Sequence, residues 1–225
     1  SQTLSKRTFE TGAALVIGGS GGLGAAICRS LALIGSDVAL TFRANQSAAR
    51  DAEDAVVSLG MRAEIAQLDV RQEQAVAAAI EYFAPQFGSL HTISCAAAPP
   101  VHQAYTSEIG PNIWRRALDI EANGFFHVVA AGLPHLRKSR GSLIALSSAA
   151  LGRHVAKDLL STAPKAAIEA AIRAVAREEG RYGVRTNSVA VGAVDAGMYR
   201  RLRAESPLDE AWEEAALANI PVGRL

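Results

Sequence analysis

Six short apolar runs, separated by stretches of helix length, constrain this chain most: AALVI (13–17), DVALTF (37–42), RAEIAQL (62–68), LHTISCAA (90–97), GSLIALSS (141–148) and VRTNSVAV (184–191). They are nearly continuous rather than alternating, as parallel strands covered on both faces must be. Strand and helix repeated this often require right-handed crossovers, so an α/β fold with a doubly wound parallel sheet in three layers, α/β/α, is expected. One helix is expected to open near Pro164, where a missing N–H costs nothing, with Ile168, Ile172 and Val175 on its apolar stripe and Gly180 capping its end.

At 225 residues the chain reads as a single domain, 1–225, with no linker, internal repeat or low-complexity stretch. A domain of this size buries about 70% of the surface its unfolded chain exposes. Its two cysteines, Cys28 and Cys95, lie in apolar segments and suit a reducing, cytoplasmic compartment, with neither a disulfide nor a zinc site expected. The opening SQTLSKRTFETG lacks the apolar core of a signal peptide, and no later run reaches the length of a membrane span. A net charge of +1 with both signs interspersed offers no footprint for nucleic acid or an anionic membrane, so the expected partner is a small molecule.

Between the first run and its helix stands IGGSGGLG, a glycine-rich turn placed where the Rossmann dinucleotide fingerprint requires one. Two registers fit: G-x-G-x-x-G at Gly19, Gly21 and Gly24, or G-x-x-x-G-x-G at Gly18, Gly22 and Gly24. Either brings backbone close to a pyrophosphate at a helix N-terminus, making Gly18, Ser20, Gly21, Gly22, Leu23 and Gly24 the candidate cradle. The second run ends LTFRAN, with Thr41 and Phe42 where a ribose-binding carboxylate would stand and Arg43 beside them, while Asp37 comes too early. An arginine there pairs with a 2′-phosphate, so NADP(H) is the expected cofactor.

The order of motifs resembles the short-chain dehydrogenase/reductase superfamily over nearly the whole chain. The glycine turn is similar to that family's Thr-Gly-x-x-x-Gly-x-Gly, with Ile17 in the threonine's place. Asp69-Val70 resembles the adenine-side pair. Trp114 with Asp119-Ile120, Ser147-Ser148, Lys165-Ala166-Ala167 and Val184-Arg185-Thr186-Asn187-Ser188-Val189 follow at the family's spacings.

The resemblance implies a lysine that binds the nicotinamide ribose and lowers the pKa of a tyrosine four residues before it. It further implies a serine that polarises the carbonyl and an asparagine that holds a water relay. Lys165 and Ser148 match the lysine and the serine, but the tyrosine's place is taken by Ser161 and the asparagine's by Glu121. A similar enoyl reductase group carries its tyrosine seven residues before the lysine, where this chain has Asp158. Ser148, Lys165, Ser161 and Glu121 are thus the candidate catalytic residues. The family's Asn-Asn-Ala-Gly reads Cys95-Ala96-Ala97-Ala98, and its Pro-Gly-x-x-x-Thr reads Val191-Gly192-Ala193-Val194-Asp195-Ala196. Ala96, Ala97, Gly192 and Val194 are the remaining cofactor-side candidates, together with Asp69, Val70 and Lys165 again.

A relocated proton donor has four candidates: Tyr199, Tyr105, His154, or a desolvated and protonated Glu121, each of which also has a purely structural reading, Glu121 as the ion-pair partner of Lys165. A hydrolase built on Ser148, His154 and Asp158 finds no nucleophile elbow, and His91, His102, His127, His135 and His154 show no metal spacing. Two readings stay open: an NADPH-dependent reductase of a carbonyl or activated alkene with a non-standard proton donor, or a catalytically degenerate NADP(H)-binding protein. The resemblance also implies a homodimer or homotetramer through the long helix (about 107–139) and the helix from Pro164 to Gly180. The family's last helix and strand are not found in these 225 residues, so either the chain is a truncated form or its sheet is one strand short. The loop after Ala98 and the segment Met198–Ser206 would shape the substrate pocket. Small residues at Ala96, Ala97, Ala98 and Ser161 hint at room for a bulky substrate.

Overall fold

The structure, a computed structural model, describes residues 9, 11–99, 103–153, 155–197, 199–200, 217–218, 220 and 222–224. His102, His154 and most of Met198–Ser206 lie outside the described residues, apart from Tyr199 and Arg200. The strands are β1 (Ala13–Ile17), β2 (Asp37–Phe42), β3 (Ala63–Gln67), β4 (Leu90–Cys95), β5 (Ser142–Ser148) and β6 (Arg185–Val191). All neighbours pair in parallel, in the order β3-β2-β1-β4-β5-β6. This is the doubly wound sheet expected from the six apolar runs, and its strand order reverses between β1 and β4. Ligands of open α/β sheets bind in the crevice at such a point, outside the carboxyl ends of the strands.

Helices α1 (Gly22–Leu33) and α2 (Gln46–Val57) cover one face, and α3 (Glu73–Gln86), α5 (Gly124–Ser139) and α6 (Leu159–Glu179) the other. Strand β1 is wholly buried and serves both layers, because successive side chains leave a strand on opposite faces. Ala13, Leu15 and Ile17 join Ile80, Phe83, Val128 and Ile172 on one side, while Val16 packs with Cys28 and Val56 on the other. Neither cysteine is in a disulfide, and burial pushes both thiols up to about 12. Among the described residues no helix is long and apolar enough to cross a membrane.

Two expectations need correction. Helix α6 opens at Leu159, not near Pro164: Leu160 is buried on the same face as Ile168, and Thr162 donates from Oγ1 to the Asp158 carbonyl at 3.0 Å. Pro164 therefore sits inside the helix, where its missing N–H removes one bond of the ladder. Gly180 caps the end of α6 as expected, in a right-handed conformation that runs into a 3₁₀ turn, Gly180–Tyr182, closed by Gly183 at φ +81°. The long helix expected over about 107–139 starts later, at Pro111, and carries a π turn midway. A 3₁₀ turn (Thr106–Glu108) precedes α4 (Pro111–Leu118), which begins on a proline, and a π turn (Asp119–Asn123) separates α4 from α5.

Candidate active site

The glycine turn follows from where β1 and β4 end. Ile17 pairs with Cys95, and the Ala96 N–H donates to the Ile17 carbonyl at 2.9 Å, so the chain after β4 runs beside the turn. Gly18 bends there at φ +82°, and a Cβ on it would stand 2.8 Å from the backbone of Ala97. A Cβ on Gly24 would meet the Gly18 carbonyl oxygen at 2.2 Å, whereas one on Gly21 would reach only ordinary contact. Packing thus favours the register of Gly18, Gly22 and Gly24. No side chain caps α1 and no acidic residue occupies its first turn, so its N-terminal dipole and N–H groups remain available to an anion. Ser20 and Leu23 are half-buried, Gly21 and Gly22 exposed. These features fit a pyrophosphate.

Thr41 has a role that sequence spacing does not show: its buried hydroxyl accepts the Gly18 N–H at 3.1 Å and braces the turn from β2. Arg43 is exposed just beyond, and its charge helps hold the Asp69 carboxyl down. The main cause is Arg71, whose Nε donates to Asp69 Oδ1 at 2.9 Å, and the carboxyl falls to about 2. Val70 is buried, with its carbonyl 2.9 Å from His127 Nδ1, and Gly124 of α5 lies against its side chain. Gly192 and Val194 are exposed beyond β6. Gly197, unmarked by any motif, packs so closely on Gly22 that a Cβ on Gly22 would lie 2.7 Å from the Gly197 nitrogen. The chain after β6 therefore closes over the head of α1.

At the carboxyl end of β5 stands Ser148, whose Oγ accepts the Ala150 N–H at 3.2 Å and keeps its own proton to donate. Lys165 lies in the second turn of α6, one turn after half-buried Ser161 on the same face. Its Nζ donates to Glu121 Oε2 at 2.7 Å. Glu121 belongs to the π turn; its side chain is 1% exposed and that of Lys165 is 14% exposed. The other carboxylate oxygen, Oε1, is buried with no hydrogen-bond partner among the described residues. Desolvation pushes the Glu121 carboxyl above its ordinary value; Lys165 pulls it down, and the charge of Asp158 adds to the rise. The structure thus shows the pairing of Glu121 with Lys165 that is the structural reading of Glu121.

Tyr105 is exposed, and its ring lies 4.7 Å from Lys157 Nζ. Tyr199 is half-buried after Gly197. His91 Nε2 lies 3.2 Å from the Ser36 hydroxyl, and His135 Nε2 lies 3.0 Å from Glu81 Oε1, both away from the crevice.

Comparison with known proteins agrees with this geometry. A family model described as enoyl-(acyl carrier protein) reductase matches residues 18–225. An L-fucose dehydrogenase of Bos taurus is 31% identical, over 94% of this chain and 76% of its own length. A peroxisomal 2,4-dienoyl-CoA reductase of Saccharomyces cerevisiae is 30% identical, over 96% and 74%. A carveol dehydrogenase from Mycobacterium avium, solved in complex with NAD, superposes with a TM-score of 0.83 at 25% identity, covering 91% of this chain and 80% of that one. With a doubly wound sheet, a glycine cradle at its switch point, and relatives that are dehydrogenases and reductases over nearly its full extent, this chain belongs to the short-chain dehydrogenase/reductase superfamily of oxidoreductases.

Proposed function

We propose that this protein is an NADPH-dependent reductase acting on a carbonyl or an activated alkene of a small molecule, with a proton donor other than the usual tyrosine. The observation that carries the reading is the buried Lys165–Glu121 pair, placed on the same end of the sheet as Ser148 and the cradle. The turn from Gly18 to Gly24 and the open head of α1 would hold the pyrophosphate; Asp69 and Val70 would flank the adenine. Arg43 would take the 2′-phosphate, the feature that favours NADP(H) over NAD(H). Ala96, Ala97, Gly192 and Val194 would wall the pocket, and Lys165 would hold the nicotinamide ribose. Bound there, the cofactor supplies a hydride. Ser148 would donate a hydrogen bond to the substrate oxygen and polarise the carbonyl, and Lys165 would keep positive charge beside the oxygen as negative charge develops on it. Small side chains at Ala96, Ala97, Ala98 and Ser161 leave room for a bulky substrate. The buried thiols suit a reducing cytoplasm, and the exposed apolar residues of α4 and α5 suit a homodimer or homotetramer.

A cofactor-binding protein without turnover is the second reading. It is favoured by Ser161, whose hydroxyl is a far weaker acid than a phenol and cannot reach as far. Single-turnover oxidation of prebound NADPH against ketones, quinones and enoyl thioesters separates the two. The expected result is turnover by the native protein, with Ser161→Tyr within about tenfold of it, since a lost general acid would cost about 10²–10⁴. NADPH binding without oxidation by any acceptor, together with a gain in Ser161→Tyr, would establish the second reading instead.

A further inference from the structure

The Lys165–Glu121 pair has an asymmetry that a structural ion pair does not need. Glu121 is sealed in the π turn, one oxygen served by Lys165 and the other by no group among the described residues. Its ionised form therefore rests on a single cation. A carboxylate left buried without its partner takes up a proton rather than keep its charge. Lys165 is the more accessible member, and in the reading above its ammonium is the group that turns to the nicotinamide ribose.

We propose that Glu121 and Lys165 form a cofactor-gated proton store: as NADPH binds, Lys165 shifts from the Glu121 carboxylate to the ribose hydroxyls, and Glu121 takes up one proton for the reduction. This deepens the reductase reading and rests on it. The balance closes for a carbonyl substrate. The hydride brings one hydrogen and an electron pair to carbon, the π pair of the C=O moves to oxygen, and oxygen needs one proton. As the oxygen draws its proton from the Lys165 ammonium through the Ser148 hydroxyl, Glu121 gives its stored proton to Lys165 and returns to the carboxylate, so that Ser148 and Lys165 end as they began and the ion pair re-forms. The charged surroundings of Glu121 favour uptake. Helix α6 presents Lys165 and, at its head, Asp158, whose negative charge already opposes ionisation. Of the other elements packed on the π turn, α4 carries exposed Arg115 and Arg116, and α5 carries His127, 2.9 Å from the Val70 carbonyl. Within the π turn, Asp119 accepts from Asn123 at 2.9 Å. None of these supplies a second cation to Glu121 Oε1.

The test is calorimetric and needs no turnover. NADPH is titrated into the native protein in buffers of low and high ionisation enthalpy, from about pH 6.5 to about pH 9, above the second ionisation of a phosphate near about 6. The dependence of observed enthalpy on buffer enthalpy counts protons. The native protein is expected to take up close to one proton per NADPH at its maximum, with affinity weakening up to about tenfold per pH unit across that range. Glu121→Gln, which cannot titrate, should take up none and bind with a flat pH profile. Lys165→Met, in which Glu121 has no cation to lose, should also show no uptake, so the result does not depend on one variant folding. NADPH binding by the native protein without proton uptake, or equal uptake in Glu121→Gln, overturns the proposal and leaves the reductase reading standing. No NADPH binding by the native protein removes both.

Discussion

Arg43 stands exposed one residue beyond β2, and its neighbour Thr41 is already engaged with the glycine turn. No side chain at that strand end is thus left to serve a ribose diol as an acceptor-only carboxylate would. Arg43→Ala should weaken NADPH binding by about tenfold or more, the worth of a charge-assisted contact, and leave NADH binding unchanged in the same fluorescence titration. His91 makes a residue-scale prediction about stability. Burial lowers its pKa from 6.5 to about 4, against a weaker opposing pull from Asp37. The unfolded chain therefore binds this proton first as pH falls. The contribution of His91 is complete above about 6.5 and declines down to about 4. In urea unfolding, His91→Gln should lose that part of the acid sensitivity; an unchanged slope between these pH values would refute the assignment.

Among the elements, α1 and its turn carry the most exact demand. Gly24→Ala would drive a Cβ to 2.2 Å from the Gly18 carbonyl, a backbone clash that no rotamer relieves, and Gly21→Ala would meet nothing closer than 3.4 Å. The first variant should lose about 2 kcal/mol or more of stability together with its cofactor binding. The second should stay within about 1 kcal/mol of the native protein and bind normally. Equal effects in the two would mean that the other glycine register operates. The π turn between α4 and α5 is the other element with a consequence. Its extra residue shifts the helix register at the point where Glu121 stands and meets Lys165.

For the whole molecule, Phe126 and Ile113 are 60% and 43% exposed on α5 and α4, beside half-exposed Trp114. These are the side chains that the proposed homo-oligomer would bury. Sedimentation should find a dimer or tetramer, and Phe126→Glu should shift it toward monomer while the far-UV circular dichroism is retained; a native monomer would exclude the surface as a self-contact. The sheet, its six strands and the cradle were legible in the sequence because they are local. β1 and β2 are wholly buried and nearly all apolar, as strands covered on both faces must be, whereas β3 and β6 are half-buried or exposed and mix in polar residues; a phosphate turn needs glycine between strand and helix. Ser148 and Lys165 entered as site candidates through the family resemblance, as matches to its serine and lysine. What only the tertiary structure decided lies between distant segments: Thr41 reaching Gly18, Gly197 resting on Gly22, and Glu121 meeting Lys165 across 44 residues. The sequence carries each partner, but whether a buried carboxylate finds its cation depends on where a π turn and a helix start place two backbones. That placement is set by packing across the whole core rather than by any local pattern.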